Sequence, residues 1–257
     1  MALRHYQAAI DILSVKLKGK DRTTNNRQNE ETELKNSIVR ALIGQVEIWM
    51  DPSYDLWFVI VFALPIMHAH DSRHSFEPNA EKTCEDLLSL ALQTDPGNSE
   101  ALQASASVRM SQQRPDDAKE CLEKAWSVWK DLDLGSNIFY IEVKALTAVS
   151  PDDPNLPPIP TRLTLVKLFL ELSLYTPALL VLHGIMASDD QEVEAWYLEG
   201  WCFFLMSEEA RENDGKLDEL TWQELAKDAR DCLETCQVVR IANSRRAFFV
   251  PHTGMIT

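Results

Sequence analysis

The chain has 257 residues, of which 45 % are apolar, and its formal net charge is −15 at pH 7. This apolar content supports a continuous buried core, and the 8 glycines and 12 prolines exclude a collagen-like or low-complexity chain. Residues 1–40 carry a net charge of +3 and residues 41–239 one of −21, a field that repels nucleic acid and anionic lipid and attracts basic proteins. Simple solubility would explain the same charge, so both interpretations stay open. The odd number of cysteines, five, favours a reducing compartment.

A triplet of small, large and small residues recurs along the chain at spacings of four and three, which place its members on one helical face. The copies are Ala2/Tyr6/Ala9, Cys84/Leu88/Ala91, Ala118/Leu122/Ala125, Ala178/Leu182/Ile185 and Ala229/Leu233/Cys236. The second and third copies are 34 residues apart, which is the period of the tetratricopeptide repeat (TPR), a helix pair that buries its apolar face only by stacking on further copies. We therefore predict an all-α TPR superhelical solenoid, with Ala118, Leu122 and Ala125 in its core.

In chain order, residues 1–14 are predicted to be the second helix of a truncated repeat, and residues 15–35 a flexible linker. Residues 36–131 are predicted to hold two helix pairs. An atypical insertion at 59–75 interrupts them; it belongs to an apolar stretch and contains His68, His70 and His74. The apolar run is too short to cross a bilayer as a helix. No second ligand cluster accompanies the histidines, so we predict no metal site there.

Residues 132–160 are predicted to be a Pro-rich connector, and residues 161–237 two further helix pairs with an acidic loop at 206–220. Residues 238–257 are predicted to be an atypical tail, because helical periodicity ends after Gln237. The insertion and the tail both begin with Val, whose codon starts with the GT of a splice donor. We therefore hypothesise that both are translated, unspliced introns. Cys232 and Cys236 lie one helical turn apart without further ligands, so core packing is predicted for them.

The first helix of the last pair carries the signature Trp196, Gly200, Phe203, which is typical of the first helix of a TPR and assigns these three residues to the core. First helices line the groove of this repeat, and we predict that residues along them bind a protein partner. The predicted partner-binding residues are Glu194, Tyr197, Trp201, Phe204, Glu100, Gln103 and Glu171. The carboxylates would pair with Lys or Arg, and the rings offer cation–π contacts. Alternatively, Trp201 and Phe204 pack under the acidic loop.

Three runs of sequence point to a known family. They are Asp-Pro-Asn-Leu-Pro-Pro at 153–158 with Pro-Thr-Arg-Leu at 160–163, Glu-Val-Glu-Ala-Trp-Tyr-Leu-Glu-Gly-Trp-Cys-Phe at 192–203, and Trp-Gln-Glu-Leu-Ala-Lys-Asp-Ala-Arg-Asp-Cys-Leu-Glu at 222–234. Together they resemble the fungal dedicated assembly chaperone of large-subunit ribosomal protein four, loosely over residues 1–58 and well over residues 77–237. The chain departs from that family in lacking an upstream repeat half and a regular C-terminal helix.

The resemblance implies a chaperone without cofactors that holds the basic internal loop of the newly made ribosomal protein on the concave TPR face. It also implies localisation to cytoplasm and nucleus; we expect a monomer that contacts neither nucleic acid nor membrane. The alternative is a generic TPR scaffold or co-chaperone adaptor. An adaptor for the acidic tail of a heat-shock chaperone is disfavoured, because Lys167 is the only basic residue at the groove positions. A phosphate loop, a nucleophile elbow and a His-Glu-x-x-His string are absent from the sequence, so an enzyme is not expected.

Overall fold

A computed structural model describes residues 2–18, 26–50, 79–132, 156–213, 215–217 and 219–248. Within these ranges the chain forms nine helices and one short hairpin, so the predicted all-α class is confirmed. The elements are α1 (Ala2–Lys18), α2 (Asn26–Trp49), α3 (Ala80–Thr94), α4 (Ser99–Ser111), α5 (Pro115–Ser127), α6 (Ile159–Glu171), α7 (Tyr175–Ser188), α8 (Val193–Glu212), β1 (Lys216–Leu217), β2 (Leu220–Thr221) and α9 (Trp222–Phe248). The chain divides into two compact units, Met1–Val128 and Trp129–Thr257.

In the first unit each helix packs on the next one along the chain, and α4 also packs on α2. This is the contact pattern of stacked helix pairs, in which consecutive first helices are neighbours. The triplet residues of α5, Ala118, Leu122 and Ala125, are completely buried. Where α1 crosses α2, a Cβ atom on Gly44 would lie 2.7 Å from Cζ of Tyr6. A residue with a Cβ at position 44 would therefore require the Tyr6 ring to shift.

In its described residues the second unit repeats the arrangement with four helices, of which the last two are long, 20 residues for α8 and 27 for α9. α6 packs on α7 and α8, α7 on α8, and α8 on α9, while β1 and β2 pair antiparallel between α8 and α9. Gly200 of α8 is buried at the crossing with α9, where a Cβ atom would lie 2.8 Å from Cγ of Leu233 and 3.1 Å from the carbonyl oxygen of Ala229. The other two residues of the first-helix signature, Trp196 and Phe203, are only half-buried. The indole N–H of Trp196 donates to the carbonyl oxygen of Asp190, 2.9 Å away.

Local sequence explains where the short helices begin and how the turns between them form. The side chain of Asn98 caps α4 by accepting a hydrogen bond from the amide of Ala101 at 3.0 Å. Pro115 occupies the first turn of α5, where its missing N–H is not needed. The turn that links the two helices of a pair contains a residue in the left-handed region, Gln113 (φ 59°) after α4 and Ser173 (φ 55°) after α6. Each of the two follows the last residue of its first helix by two positions.

Two predicted boundaries near the N terminus differ from the structure. Most of the predicted linker 15–35 is helical, because α1 continues to Lys18 and α2 begins at Asn26. Helix-favouring residues and a pair one turn apart, Glu31–Lys35 at 2.8 Å, stabilise this charged stretch. The insertion at 59–75 and its three histidines lie outside the described residues. So does most of the connector 132–160, of which Leu132 and residues 156–160 are described.

Two boundaries near the C terminus also differ. The predicted acidic loop at 206–220 is helical up to Glu212, since Met206 and Ala210 are buried, and only the hairpin region beyond it is a loop. The predicted break after Gln237 is wrong, because α9 continues to Phe248. Val239 is buried, and the Asn243 side-chain amide donates to the carbonyl oxygen of Gln191 at 3.1 Å, so this part of α9 is held by tertiary contacts. The rest of the tail lies outside the described residues.

Candidate partner-binding face

Four predicted residues lie along α8 at spacings of three and four, and we call them the α8 stripe (Glu194, Tyr197, Trp201 and Phe204). Phe204 is 41 % exposed, whereas Tyr197 and Trp201 are half-buried. The rings of Trp201 and Phe204 are in tilted contact, with centroids 5.2 Å apart. The stripe therefore offers one carboxylate followed by aromatic surface, which suits contact with a Lys or Arg side chain and the apolar residues beside it.

Phe204 also faces α9. It lines an open cavity of about 330 Å³ together with side chains of that helix. The other lining residues are Ala226, Ala229, Arg230, Leu233, Glu234 and Gln237. The alternative interpretation, that Trp201 and Phe204 pack under the acidic loop, stays a prediction. Near that loop Arg211 stacks over the ring of Trp222, 5.1 Å from its centroid.

The carboxylate of Glu194 is already paired with a cation of the same unit. Nζ of Lys167, on α6, lies 2.6 Å from its Oε1 atom, and both side chains are partly exposed at 30 % and 44 %. Glu194 is the second residue of α8, where the amide N–H groups of the first turn favour a negative charge. Its own amide donates to the side chain of Glu192 at 3.1 Å, which fixes the start of the helix.

The first unit repeats this arrangement. Glu100 is the second residue of α4, as Glu194 is of α8. Its two carboxylate oxygens accept hydrogen bonds from Nε and Nη2 of Arg40 on α2, at 3.3 and 3.4 Å. In both units, a carboxylate at the start of one first helix thus meets a basic residue of the preceding first helix. The two carboxylates that the sequence predicted for a partner are present on the surface, but each already has an internal cation.

The structure corrects the prediction that Gln103 binds a partner. It is only 4 % exposed, so its side chain is not open to a partner. The reason is that α4 contacts α2, α3 and α5, which bury it around most of its circumference. Among the described residues, the side-chain nitrogen of Gln103 has no hydrogen-bond partner.

Glu171, at the C-terminal end of α6, has an unusual environment. Burial raises the pKa of its carboxyl from 4.5 to about 7. A carboxylic acid with this pKa is about half-ionised at neutral pH, and a nearby cation would favour its charged form. Glu171 is thus able to accept a basic side chain, and doing so would couple the contact to loss of a proton.

A buried polar network in the second unit was not predicted. Glu199 of α8 is 5 % exposed, and its two oxygens contact Nε2 of His183 on α7 at 3.0 Å and Sγ of Cys232 on α9 at 3.3 Å. Burial and the neighbouring Glu199 raise the pKa of the Cys232 thiol to about 12, so the thiol stays protonated and donates to the carboxylate. The network joins three consecutive helices. Its members are 16 and 33 residues apart, a separation without a sequence signature.

The five cysteines are free thiols. In the described ranges there is no group of three or more His, Cys, Asp or Glu side chains arranged to hold a metal ion. No helix in these ranges has the length and apolar character needed to cross a membrane.

The sequence of the chain is similar to those of known proteins. No protein-family model matches the chain. A probable assembly chaperone of rpl4 from Emericella nidulans is 41 % identical over 133 residues, which is 52 % of this chain and 30 % of that protein. A probable assembly chaperone of rpl4 from Schizosaccharomyces pombe is 29 % identical over 218 residues, 85 % of this chain and 52 % of that protein.

A solved structure has the same fold. The Assembly Chaperone of RpL4 (Acl4), residues 1–338, superposes with a TM-score of 0.57 and 26 % identity, covering 83 % of this chain and 62 % of that one. The chain thus spans about half or less of the curated relatives and less than two thirds of the solved chain. These matches confirm the resemblance found in the sequence: the chain is similar, over most of its length, to the fungal assembly chaperones of ribosomal protein L4.

Proposed function

We propose that this protein is an assembly chaperone that binds newly made ribosomal protein L4 and shields its positive charge until the client is assembled. The observation that carries the proposal is the similarity of fold and sequence to proteins named for this role. The role needs no catalysis, and we propose a non-enzymatic binding protein. Localisation to cytoplasm and nucleus, and a monomeric state, belong to the same proposal.

The physical properties of the chain support this choice of client. Its net charge of −15 attracts a basic ribosomal protein and speeds their encounter. We propose that the client's basic internal loop contacts the exposed members of the α8 stripe, together with Glu100 and Glu171. Carboxylates would bind Lys and Arg, and Tyr197 and Trp201 would offer ring faces to the same cations, each contact being worth about 0.5–2 kcal/mol.

The proposal is tested by affinity purification of the tagged chain at low salt, followed by mass spectrometry. We expect ribosomal protein L4 in near-equal amount to the bait, and its loss at high salt because exposed charge pairs are screened within about 8 Å at physiological ionic strength. Recovery of many subunits of another complex, without L4, would contradict the proposal and favour a scaffold.

A further inference from the structure

Two ion pairs, Lys167–Glu194 and Arg40–Glu100, occupy equivalent positions within the two units. In each unit the carboxylate belongs to the second residue of a first helix, and the cation comes from the preceding first helix. Neither pair is buried: the Lys167 and Glu194 side chains are 30 % and 44 % exposed, and those of Arg40 and Glu100 are 67 % and 28 % exposed. Solvent, and therefore a basic ligand, reaches both partners.

We propose that Lys167 and Arg40 are specificity-determining residues of the client site, which occupy Glu194 and Glu100 until a client cation displaces them. This inference rests on the proposed function, since it concerns the same basic client. The internal cation partly neutralises each carboxylate and contacts one or both of its oxygens, so a client side chain competes with that cation for the carboxylate. The internal pairs therefore lower the affinity for any basic segment, and the lysine is the easier cation to displace.

The geometry of the two pairs supports this difference. Arg40 contacts both oxygens of Glu100, whereas Lys167 contacts Oε1 of Glu194 as a point charge. A guanidinium binds a carboxylate through two parallel hydrogen bonds, which an ammonium cannot reproduce. A client arginine that replaces Lys167 at Glu194 would therefore gain a hydrogen bond. At Glu100 it would replace Arg40, another arginine, and the number of hydrogen bonds would stay the same. We infer that Glu194 selects arginine over lysine in the client.

The test uses the full chain with two probes, purified fungal ribosomal protein L4 and a ten-residue polyarginine peptide, in a titration at low salt. Lys167→Met keeps the aliphatic stem and removes the charge. We expect it to tighten binding of both probes about two- to fivefold, the range that the loss of one exposed competing pair permits. A polylysine peptide should gain less than polyarginine, because it cannot form the two-point contact.

Two controls separate this effect from a general change in charge. Lys124→Met removes a more exposed lysine, 60 % against 30 % for Lys167, that is paired with Glu120 on a second helix, and it should leave both affinities within about 1.5-fold, as is usual for a single exposed surface charge. Lys167→Met in a Glu194→Gln background should give no gain, since the contested carboxylate is gone. A gain that persists in that background, or weaker binding by Lys167→Met alone, would overturn the inference.

The two probes also separate this inference from the proposed function. If wild-type protein fails to bind L4 but binds polyarginine, and Lys167→Met tightens that binding, the client assignment is refuted while the exchange at Glu194 stands. If wild-type protein binds L4 and Lys167→Met does not tighten it, the exchange is refuted and the client assignment stands. Binding of neither probe refutes both.

Discussion

The contact between α8 and α9 at Gly200 predicts that Gly200→Ala destabilises the folded protein. Replacing a helical glycine by alanine ordinarily stabilises a protein by about 1 kcal/mol, because alanine has the higher helix propensity. Here the new Cβ would lie 2.8 Å and 3.0 Å from Cγ and Cδ2 of Leu233, and 3.1 Å from the carbonyl oxygen of Ala229. The leucine side chain is 39 % exposed and has room to rotate, but the backbone oxygen moves only with α9 itself.

Overpacking of this kind costs about 1–3 kcal/mol, so we expect Gly200→Ala to lose about 1 kcal/mol after the propensity gain is subtracted. The corresponding fall in Tm is about 2–4 °C for a chain of this size. Thermal unfolding followed by circular dichroism measures it, and amide hydrogen exchange should show faster exchange confined to α8 and α9. In a Leu233→Ala background the cost of Gly200→Ala should be smaller, because only the backbone contact with Ala229 remains.

Gly97→Ala is the matched control. A Cβ at Gly97, in the turn between α3 and α4, would meet nothing within 4 Å, so its Tm should stay within about 1 °C of wild type, as is typical of an exposed surface change. If Gly200→Ala were as stable as Gly97→Ala, or more stable than wild type, the close approach of α8 and α9 would be refuted.

Three further predictions concern the turn, the client face and pH. Ser173→Gly should raise stability by about 0.5–1 kcal/mol in urea unfolding, because the left-handed φ of 55° is costly for any residue with a Cβ; an unchanged midpoint would contradict the strained turn. Glu194→Lys combined with Trp201→Ala should abolish L4 binding while far-ultraviolet circular dichroism stays unchanged, and unaltered affinity would move the site elsewhere. Burial raises the pKa of Glu171 to about 7, so its ionisation destabilises the folded state increasingly as pH rises from about 5 to 8. Glu171→Gln should therefore gain stability over wild type by about 2 kcal/mol across that range in urea titrations, whereas a difference independent of pH would rule out the raised pKa.

Much of the local structure could be predicted because its determinants are close together in the sequence. The small–large–small triplet of Ala118, Leu122 and Ala125 depends only on helical spacing, and all three residues are buried. Gly200 could be recognised as a close approach for the same reason. The errors at the linker and after Gln237 arose where the apolar periodicity weakens. At the linker a local signal existed in the Glu31–Lys35 pair, but beyond Gln237 the helix is stabilised by the contact of Asn243 with Gln191, which no local pattern shows.

Spacings of three and four along the chain are enough to predict that it forms helix pairs, where most of them lie, and which residues share the face of each first helix. Which members of that face are open to a partner depends on how the helices pack. Gln103 is buried by three neighbouring helices, whereas Phe204 stays exposed. The cations that meet Glu194 and Glu100 come from other helices, 27 and 60 residues earlier, and their contact depends on how the helices stack. Stacking depends on the whole buried surface of a unit, which no single stretch of sequence encodes.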